Sequence, residues 1–149
     1  MTAPPARDNR QRRIDSLYRL EHDVDAWVAT AGDQPYLVPL SFLWDGYFLL
    51  MATLESNPTA KNLRVNPRVR VALGTTRDVV LIEGTASALP PEELTRELGD
   101  QFAIKAGFDP RKSPGFIFFR VGPLLIQAWR EVNEFAGRDL MRDGTWLLK

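Results

Sequence analysis

The amino-acid sequence predicts a mainly β protein, an antiparallel barrel of six or seven strands with two or three short helices inserted. Short apolar or alternating segments follow one another closely, and Gly, Pro, Asn and Asp separate them. Helical periodicity is confined to a few places, and strands do not alternate regularly with helices. Regular alternation would indicate a parallel sheet, so this order of elements favours an antiparallel barrel.

Composition excludes several classes of function. The 149 residues suit one domain, and 19 basic residues balance 19 acidic ones, so no nucleic-acid footprint or polybasic membrane anchor is indicated. The chain has no Cys and a single His, His22, which excludes disulfides, thiolate zinc sites and multi-His metal sites. We therefore predict no metal site.

No segment approaches the roughly 20 apolar residues that a membrane-spanning helix requires, and the N-terminus lacks the apolar core of a signal peptide. We expect a cytoplasmic protein with no membrane or nucleic-acid partner. The chain has neither a G-x-G-x-x-G fingerprint nor a P-loop, so these two modes of nucleotide binding are not supported.

Residues 1–23 are expected to form a tail and a helix ahead of a barrel domain of residues 24–149. The helix is strongly charged, and its modest apolar stripe comprises Ile14, Leu17, Tyr18 and Glu21. His22 lies in the last turn, where the helix dipole favours a cation, and we predict a surface position for it.

The first strands are expected from Asp25 to Ala31 and from Pro35 to Leu43. Pro39 falls inside the second, and because Pro cannot donate a ladder hydrogen bond, a strand edge or a bulge is predicted there. Asp45-Gly46 lies between two apolar runs and predicts a hairpin to a third strand, from Tyr47 to Thr53.

A short helix with an accessible start is predicted from Asn57 to Asn66. Asn57 suits the N-cap and Pro58 the first helical position. Unpaired N–H groups and the helix dipole attract a phosphate to such a start, and Lys61 and Arg64 could add cationic donors. The alternative is a capped connector with solvated basic residues, which spacing alone favours because caps are commoner than anion sites.

Two strands follow this helix. Alternation after Pro67 predicts a core face made by Val69, Val71 and Leu73, with Arg68 and Arg70 opposite. The wholly apolar run Val79–Ile82 predicts a strand that is buried on both faces. Gly84, directly after it, predicts a bulge or a close backbone approach.

The C-terminal third should contain one helix and further strands. The helix is expected from Pro90 to about Gly107, with an apolar face made by Leu94, Leu98 and Phe102. Gly122-Pro123 is expected to separate two strands, Phe116 to Val121 and Leu124 to Trp129. The tail from Phe135 to Trp146 should turn at Gly137 and at Asp143-Gly144.

Several segments in this order resemble one family. They are Val-Pro-Leu-Ser-Phe-Leu-Trp-Asp-Gly, then Ala-Thr, Thr-Ala-Lys-Asn-Leu-Arg-Val-Asn-Pro-Arg-Val and Asp-Val-Val-Leu-Ile-Glu-Gly-Thr-Ala. Together they are similar to the pyridoxamine 5'-phosphate oxidase-like flavin and deazaflavin oxidoreductases, over about residues 24–146. The resemblance implies an FMN-binding split β-barrel and a homodimer with two cofactor sites at the subunit interface.

The resemblance also implies cofactor-binding residues. The strand beside the cofactor ring corresponds to Val38, Pro39, Leu40, Ser41 and Phe42, and Ala52 and Thr53 fall beside the ribityl phosphate. The phosphate cluster corresponds to Ser56, Thr59 and Lys61, while Trp129 is supplied by the partner subunit and Arg138 follows it. Thr59 stands where the family commonly has a basic residue, so only Lys61 keeps the charge.

The implied activity is hydride transfer to or from an unidentified small molecule. The cofactor is expected to be FMN, with the deazaflavin coenzyme F-420 as the alternative. We identify no general acid or base in the sequence, so the catalytic residues are unknown and the cofactor would carry the chemistry. The alternative is a non-catalytic split barrel that binds or sequesters a flavin, a haem or a related ligand.

Overall fold

The computed structural model describes residues 3–147, which contain eight antiparallel strands and three α-helices. The strands are β1 (Asp25–Ala31), β2 (Pro35–Trp44), β3 (Leu49–Leu54), β4 (Arg68–Thr75), β5 (Asp78–Leu89), β6 (Phe116–Trp129), β7 (Asp139–Arg142) and β8 (Thr145–Trp146). The helices are α1 (Asn9–His22), α2 (Pro58–Val65) and α3 (Arg96–Ala106), with short 3-10 turns at Pro91–Glu93, Pro110–Lys112 and Val132–Glu134.

Six of the strands close into a barrel. Their order is β3-β2-β1-β4-β5-β6, and β3 also pairs with β6 to complete the circle, while β7 and β8 extend the sheet from β6. Every pairing is antiparallel. The predicted fold class, a mainly β antiparallel split barrel, is therefore confirmed, with eight strands in the described chain rather than six or seven.

The core lies in two places. Alternate residues of the barrel strands fill the interior, among them Val28, Phe42, Ile82 and Ile126, and Leu20 of α1 joins them. A smaller cluster lies outside the barrel beneath α3, where Phe102 packs edge-on against Phe118 with ring centroids 5.4 Å apart. Because α3 covers this side, β3 is buried on both faces.

Helix α1 buries a different face from the one predicted. Its buried residues are Arg12, Ser16 and Leu20, whereas Ile14 is 55% exposed and Tyr18 63% exposed. Of the predicted stripe, Leu17 packs against the core, whereas Ile14, Tyr18 and Glu21 do not, because hydrogen bonds made by Arg12 orient the helix more strongly than the few apolar side chains do. His22 is exposed at the end of the helix, as predicted.

Strand β6 is continuous through Gly122-Pro123, which corrects the prediction of two strands. Its first half pairs with β3 and its end pairs with β7, so Pro123 lies between the two partners on that edge. On the β5 side, Gly84 pairs with Pro123 and Glu83 with Leu125, so Leu124 is the extra residue of a bulge. A bulge accommodates Pro without ending the strand.

Two further predictions need correction. Helix α3 begins at Arg96 instead of Pro90, because the Thr95 hydroxyl caps the Leu98 amide and Leu94 keeps an extended backbone. The run Val79–Ile82 is fully buried on one face only, because the outer face of this strand is half-exposed in the single chain.

Several other local signals are confirmed. β1 and α2 have the predicted bounds to within one residue, and Asp45-Gly46 forms the hairpin, with Gly46 at φ +100°. Pro39 lies on an edge, since β3 pairs with β2 only from Phe42 onwards. Gly84 lies at a bulge and also meets a close neighbour, because an added Cβ would stand 2.6 Å from the Gly122 carbonyl oxygen.

The close approach at Gly84 predicts a clear difference between two glycines of the same bulge. Gly84→Ala should destabilise the fold by about 1–3 kcal/mol, because its Cβ would meet backbone. Gly122→Ala is the control and should change stability by less than about 1 kcal/mol, since its Cβ would meet only the Phe48 ring at 3.7 Å. Equilibrium urea denaturation followed by circular dichroism measures both, and equal losses would contradict the packing argument.

Candidate functional site

The end of β3 and the start of α2 form a corner at which the helix has no side-chain cap. Asn57 occupies the N-cap position, but its side chain makes no cap hydrogen bond to the helix. Its Nδ2 instead donates to Thr53 Oγ1 at 3.0 Å. Pro58 has no N–H, so the first amides of the helix, those of Thr59 and Ala60, receive no side-chain cap. The predicted N-cap residue is correct in position and wrong in its side-chain role.

Lys61 is the cation that this corner leaves available. The exposed Lys61 ammonium makes no hydrogen bond or ion pair with any other residue between 3 and 147. Arg64, by contrast, donates to Glu55 Oε1 at 2.9 Å. Lys61 can therefore bind an anion without first giving up a partner, whereas Arg64 cannot.

The two hydroxyl residues predicted for this corner differ in accessibility. Ser56 is exposed, whereas Thr59 is only 1% exposed and packs towards the interior. Thr53 and Ala52, at the end of β3, are also buried. A ligand at this corner would therefore meet Ser56 and Lys61 first. The prediction of an accessible helix start is wrong for the amides of Thr59 and Ala60, because these residues are 1% and 0% exposed.

The predicted ring-binding segment lies in β2. Pro39 and Ser41 face outwards, Val38 and Leu40 face the interior, and Phe42 is fully buried. Ser41 Oγ donates to Asp25 Oδ1 at 2.7 Å, which fixes the hydroxyl against the neighbouring strand. The side chain of Phe42 belongs to the core, so only the backbone of this residue could approach a ligand.

Lys105 was missed by the sequence analysis. Its Nζ lies 4.1 Å from the centroid of the Phe42 ring and donates to the carbonyl oxygen of Leu20 at 3.2 Å. Burial lowers the pKa of Lys105, while nearby carboxylates oppose that change. The residue joins α3 to the barrel beneath β2, and its place in α3 gave no signal of this contact in the sequence.

The outer face of the sheet around Pro39 is apolar and exposed. Trp27 is 51% exposed and pairs with Pro39 on one side and Ala72 on the other. Leu37 is 59% exposed, and Leu81 pairs with Ala72 further along the same row. We call these five residues the outer apolar face.

Trp129 and Arg138 come together at the other end of the barrel. Phe135 connects them, because its ring lies edge-on to Trp129 with centroids 5.6 Å apart, and the Arg138 guanidinium lies 3.8 Å from its centroid. Trp129 also borders a cleft of about 330 Å³ that Arg77 and Arg130 help to line. We call Trp129, Phe135 and Arg138 the aromatic–arginine group.

The barrel register separates the corner from the aromatic–arginine group. Thr53 pairs with Ile117 near the start of β6, whereas Trp129 is the last residue of that strand and pairs with Val79. At about 3.3 Å per residue, the length of β6 between Ile117 and Trp129 prevents the two groups of one chain from meeting around a single small molecule. One chain therefore holds the predicted β2, β3 and α2 residues at one end of the barrel and Trp129 with Arg138 at the other, and it does not bring the two sets together.

A buried carboxylate beside the aromatic–arginine group was not predicted. Glu134 is 2% exposed and accepts hydrogen bonds from the Arg7 guanidinium at 2.8 and 3.1 Å. Those bonds lower the pKa of Glu134 to about 2, against the desolvation that raises it. Because Arg7 is 127 residues away, no local pattern in the sequence could have indicated the pair.

The sequence model of the pyridoxamine 5'-phosphate oxidase family matches residues 19–130, which is more than half of the chain. The chain belongs to this family. The family assignment made from the order of segments is thereby confirmed. A search of curated proteins gives no match.

Solved structures share the split-barrel fold. A FAD-binding protein from Mesorhizobium loti is 23% identical with a TM-score of 0.63, over 76% of this chain and 89% of that one. An F-420 reductase is 18% identical with a TM-score of 0.61, over 73% and 93%. The heme storage protein HutZ from Vibrio cholerae is 17% identical with a TM-score of 0.56, over 73% and 88%.

The described residues contain neither a membrane-spanning helix nor a group of metal ligands. No helix within residues 3–147 is both long enough and apolar enough to cross a membrane. No group of three or more His, Asp or Glu side chains in the same range is arranged to hold a metal ion.

The buried Glu134 predicts a stability difference that depends on pH. Glu134→Gln should lower the free energy of unfolding by about 3–5 kcal/mol above pH 5, because Arg7 loses its buried partner. The native carboxylate has a pKa lowered from 4.5 to about 2, so its stabilisation is complete above pH 4.5 and disappears as the pH falls to 2. The difference in free energy of unfolding between the unmodified protein and Glu134→Gln should therefore decrease as the pH falls from 4.5 to 2. Chemical denaturation at several pH values measures it.

Glu131→Gln is the matched control. Glu131 pairs with Arg77, whose side chain is 78% exposed, so its loss should lower stability by less than about 1 kcal/mol. Equal effects of the two substitutions at neutral pH would contradict the role assigned to Glu134.

Proposed function

We propose that the protein is a flavin- or deazaflavin-dependent oxidoreductase that transfers a hydride to or from a small molecule. The observation that carries this proposal is the corner between β3 and α2, where the exposed Lys61 ammonium, which has no partner within residues 3–147, lies in the first turn of a helix without a side-chain cap. Amides at a helix start and one cation suit a phosphate group. Membership of the family supports a flavin-type cofactor as the molecule that carries this phosphate.

The described residues fit such a cofactor in part. The Lys61 ammonium and the exposed Ser56 hydroxyl would hold its phosphate. Thr59 and Ala60 are only 1% and 0% exposed, so their amides would act through the helix dipole rather than by direct contact. The backbone around Pro39 and Ser41, on the edge of β2, would lie against the ring.

When bound, the cofactor would accept or donate the hydride, and the protein would orient the substrate against the ring. Lys61 is the only titratable side chain of the predicted β2, β3 and α2 residues, which are Val38, Pro39, Leu40, Ser41, Phe42, Ala52, Thr53, Ser56, Thr59 and Lys61. If Lys61 holds the phosphate, the protons of the reaction would have to come from solvent or from the substrate. The described chain therefore supports binding and orientation as the tasks of the protein.

We further propose that the working unit is a homodimer. The corner and the aromatic–arginine group lie at opposite ends of β6 in one chain, so a second copy would have to supply Trp129 and Arg138 to complete each site. The outer apolar face, with Trp27 and Leu37 more than half exposed, offers a surface for that copy. Pro39 belongs to this face, which would place the β2 edge of the cofactor site at the subunit boundary.

FMN is our first choice of cofactor and coenzyme F-420 the second. Both carry a phosphate and a planar ring, and similar folds are found in a FAD-binding protein and in an F-420 reductase. Titration of the purified protein with each cofactor, followed by the quenching of cofactor fluorescence, separates the two. Reduction of the bound cofactor by NADH or NADPH, or its reoxidation by a quinone, would then establish redox activity.

A non-catalytic ligand-binding protein is the alternative. It is favoured by the absence of an acidic or imidazole side chain among the β2, β3 and α2 residues named above, and by the similarity in fold to a heme storage protein. A cofactor or haem that binds tightly but undergoes no redox change with any of these reagents would favour this alternative.

Lys61 should contribute directly to cofactor affinity. Lys61→Ala should weaken FMN or F-420 binding by about 1–3 kcal/mol, or roughly 5- to 150-fold in Kd, because a charge-assisted hydrogen bond is lost. Arg64→Ala is the matched control on the same helix, and it should change Kd little because Arg64 is already paired with Glu55. Equal Kd values for Lys61→Ala and the unmodified protein would remove Lys61 from the site.

Mixed dimers test whether the two halves of the site come from different chains. Lys61→Ala and Trp129→Ala homodimers should both bind the cofactor weakly, because every site carries one defect. In a mixed dimer of the two variants, one site carries both defects and the other carries none, so half of the sites should regain the normal Kd. Two differently tagged chains, purified in tandem and titrated, measure this. No recovery would show that Lys61 and Trp129 do not share an intersubunit site.

A further inference from the structure

The loop that carries the aromatic–arginine group has little regular structure of its own. It runs from residue 130 to residue 138 and contains one 3-10 turn, Val132–Glu134, and a glycine with positive φ, Gly137. Phe135 within it is 45% exposed. Contacts from elsewhere in the chain must therefore fix the positions of Phe135 and Arg138.

Arg12 of α1 provides the central contact. The residue is only 4% exposed, and its Nη1 donates to the carbonyl oxygens of Glu134 at 2.7 Å and Ala128 at 3.0 Å. These carbonyls lie in the loop and directly before Trp129. One guanidinium therefore ties the end of β6 to the middle of the loop.

Residues ahead of α1 add a second set of contacts. The Arg7 amide and guanidinium both donate to the Glu134 carboxylate, whose Oε1 also accepts from the Arg130 amide at 3.1 Å. Asn9 Nδ2 donates to the Gly137 carbonyl at 3.1 Å. The segment from Arg7 to Arg12 is thus bonded to the middle and the end of the loop, and to Ala128 just ahead of it.

We infer that Arg12 and the Arg7–Glu134 pair are positioning residues, which hold Trp129, Phe135 and Arg138 in place for a planar anionic ligand. The ligand half of this inference rests on the proposed function, in which the group is presented to the partner subunit's cofactor site. The aromatic rings suit a planar ring by stacking, and the Arg138 guanidinium suits a negative charge. A helix outside the barrel would then set the affinity of a site that it does not touch.

The contacts of the buried Arg12 support this assignment over a role in barrel stability alone. Both of its short hydrogen bonds end on backbone carbonyls beside or within the loop, Ala128 O and Glu134 O. The barrel ladder is closed by β3 and β6 without help from Arg12. Loss of the guanidinium should therefore loosen the loop before it loosens the barrel.

The test compares Arg12→Gln with Arg10→Gln, a control on the same helix. Arg10 is exposed, and its side chain makes no hydrogen bond or ion pair with any other residue between 3 and 147. Amide hydrogen exchange, measured by mass spectrometry without any ligand, reports the loop directly. Exchange in residues 130–138 should rise about tenfold in Arg12→Gln, since one buried hydrogen bond is worth about one decade. Exchange in residues 68–75 should stay unchanged in both variants.

Titration with FMN and with F-420 gives the second readout. The Kd of the cofactor that binds should also rise about tenfold in Arg12→Gln and stay unchanged in Arg10→Gln. Faster loop exchange with an unchanged Kd would overturn the ligand half of the inference, and unchanged loop exchange would overturn it entirely. If the unmodified protein binds neither cofactor, the proposed function fails, while hydrogen exchange still decides whether Arg12 positions the loop.

A milder variant covers the case in which Arg12→Gln does not fold. Asn9→Ala removes one exposed hydrogen bond to Gly137, so loop exchange should rise by a factor of about two to five. An unchanged loop in Asn9→Ala, together with an unfolded Arg12→Gln, would assign these residues to global stability and overturn the inference.

Discussion

The pairing of β3 with the first half of β6 is the constraint on which the rest of the structure depends. It closes six strands into a barrel and pairs the whole length of β3 on one side. The same pairing puts the end of β3, and therefore the start of α2, beside Ile117, while Trp129 is carried to the far end of β6. The separation of the two halves of the candidate site is thus a consequence of how the barrel closes. In the homodimer that we propose, a second copy would bring the missing half to each ligand.

Buried charged residues fix the position of one loop in this molecule, whereas apolar residues fill the barrel. The interior is filled by aliphatic and aromatic residues, yet Arg12 and Glu134 are both almost fully buried at the side of the barrel. Removing such groups from water is unfavourable unless their hydrogen bonds are satisfied. Here the bonds of Arg12 end on backbone carbonyls and those of Glu134 on Arg7 and an amide. These charges therefore specify where one irregular segment lies, a task for which non-directional apolar contacts are poorly suited.

Features that depend on neighbouring residues could be predicted from the sequence, and features that depend on distant ones could not. Asp45-Gly46, Pro58 and Gly84 each impose a local backbone requirement, and the hairpin, the start of α2 and the bulge follow from them. The prediction of the buried face of α1 was wrong because the hydrogen-bond partners of Arg12 lie more than a hundred residues away in the sequence. The predicted start of α3 was wrong because the segment contains two possible helix starts, and the helix is capped by Thr95 rather than beginning at Pro90. In the candidate site, the exposed position of Lys61 follows from the pattern of α2, whereas the burial of the Thr59 side chain depends on packing that one sequence does not reveal.

The extra residue Leu124 determines which side chains in the second half of β6 face the barrel interior. In the first half of the strand the odd-numbered residues Ile117, Phe119 and Val121 fill the barrel, whereas in the second half the even-numbered Ile126 and Ala128 do so. Side chains alternate strictly along an unbroken strand, so the reversal arises at this one position. If β6 kept all its residues but had no bulge, Trp129 would fall in line with Ile117, Phe119 and Val121, and its indole would point into the barrel. Deleting Leu124 would instead remove the bulge and leave Ile126 and Ala128 inside and Trp129 outside. One additional codon in β6 is therefore what keeps the aromatic–arginine group on the outside of the barrel.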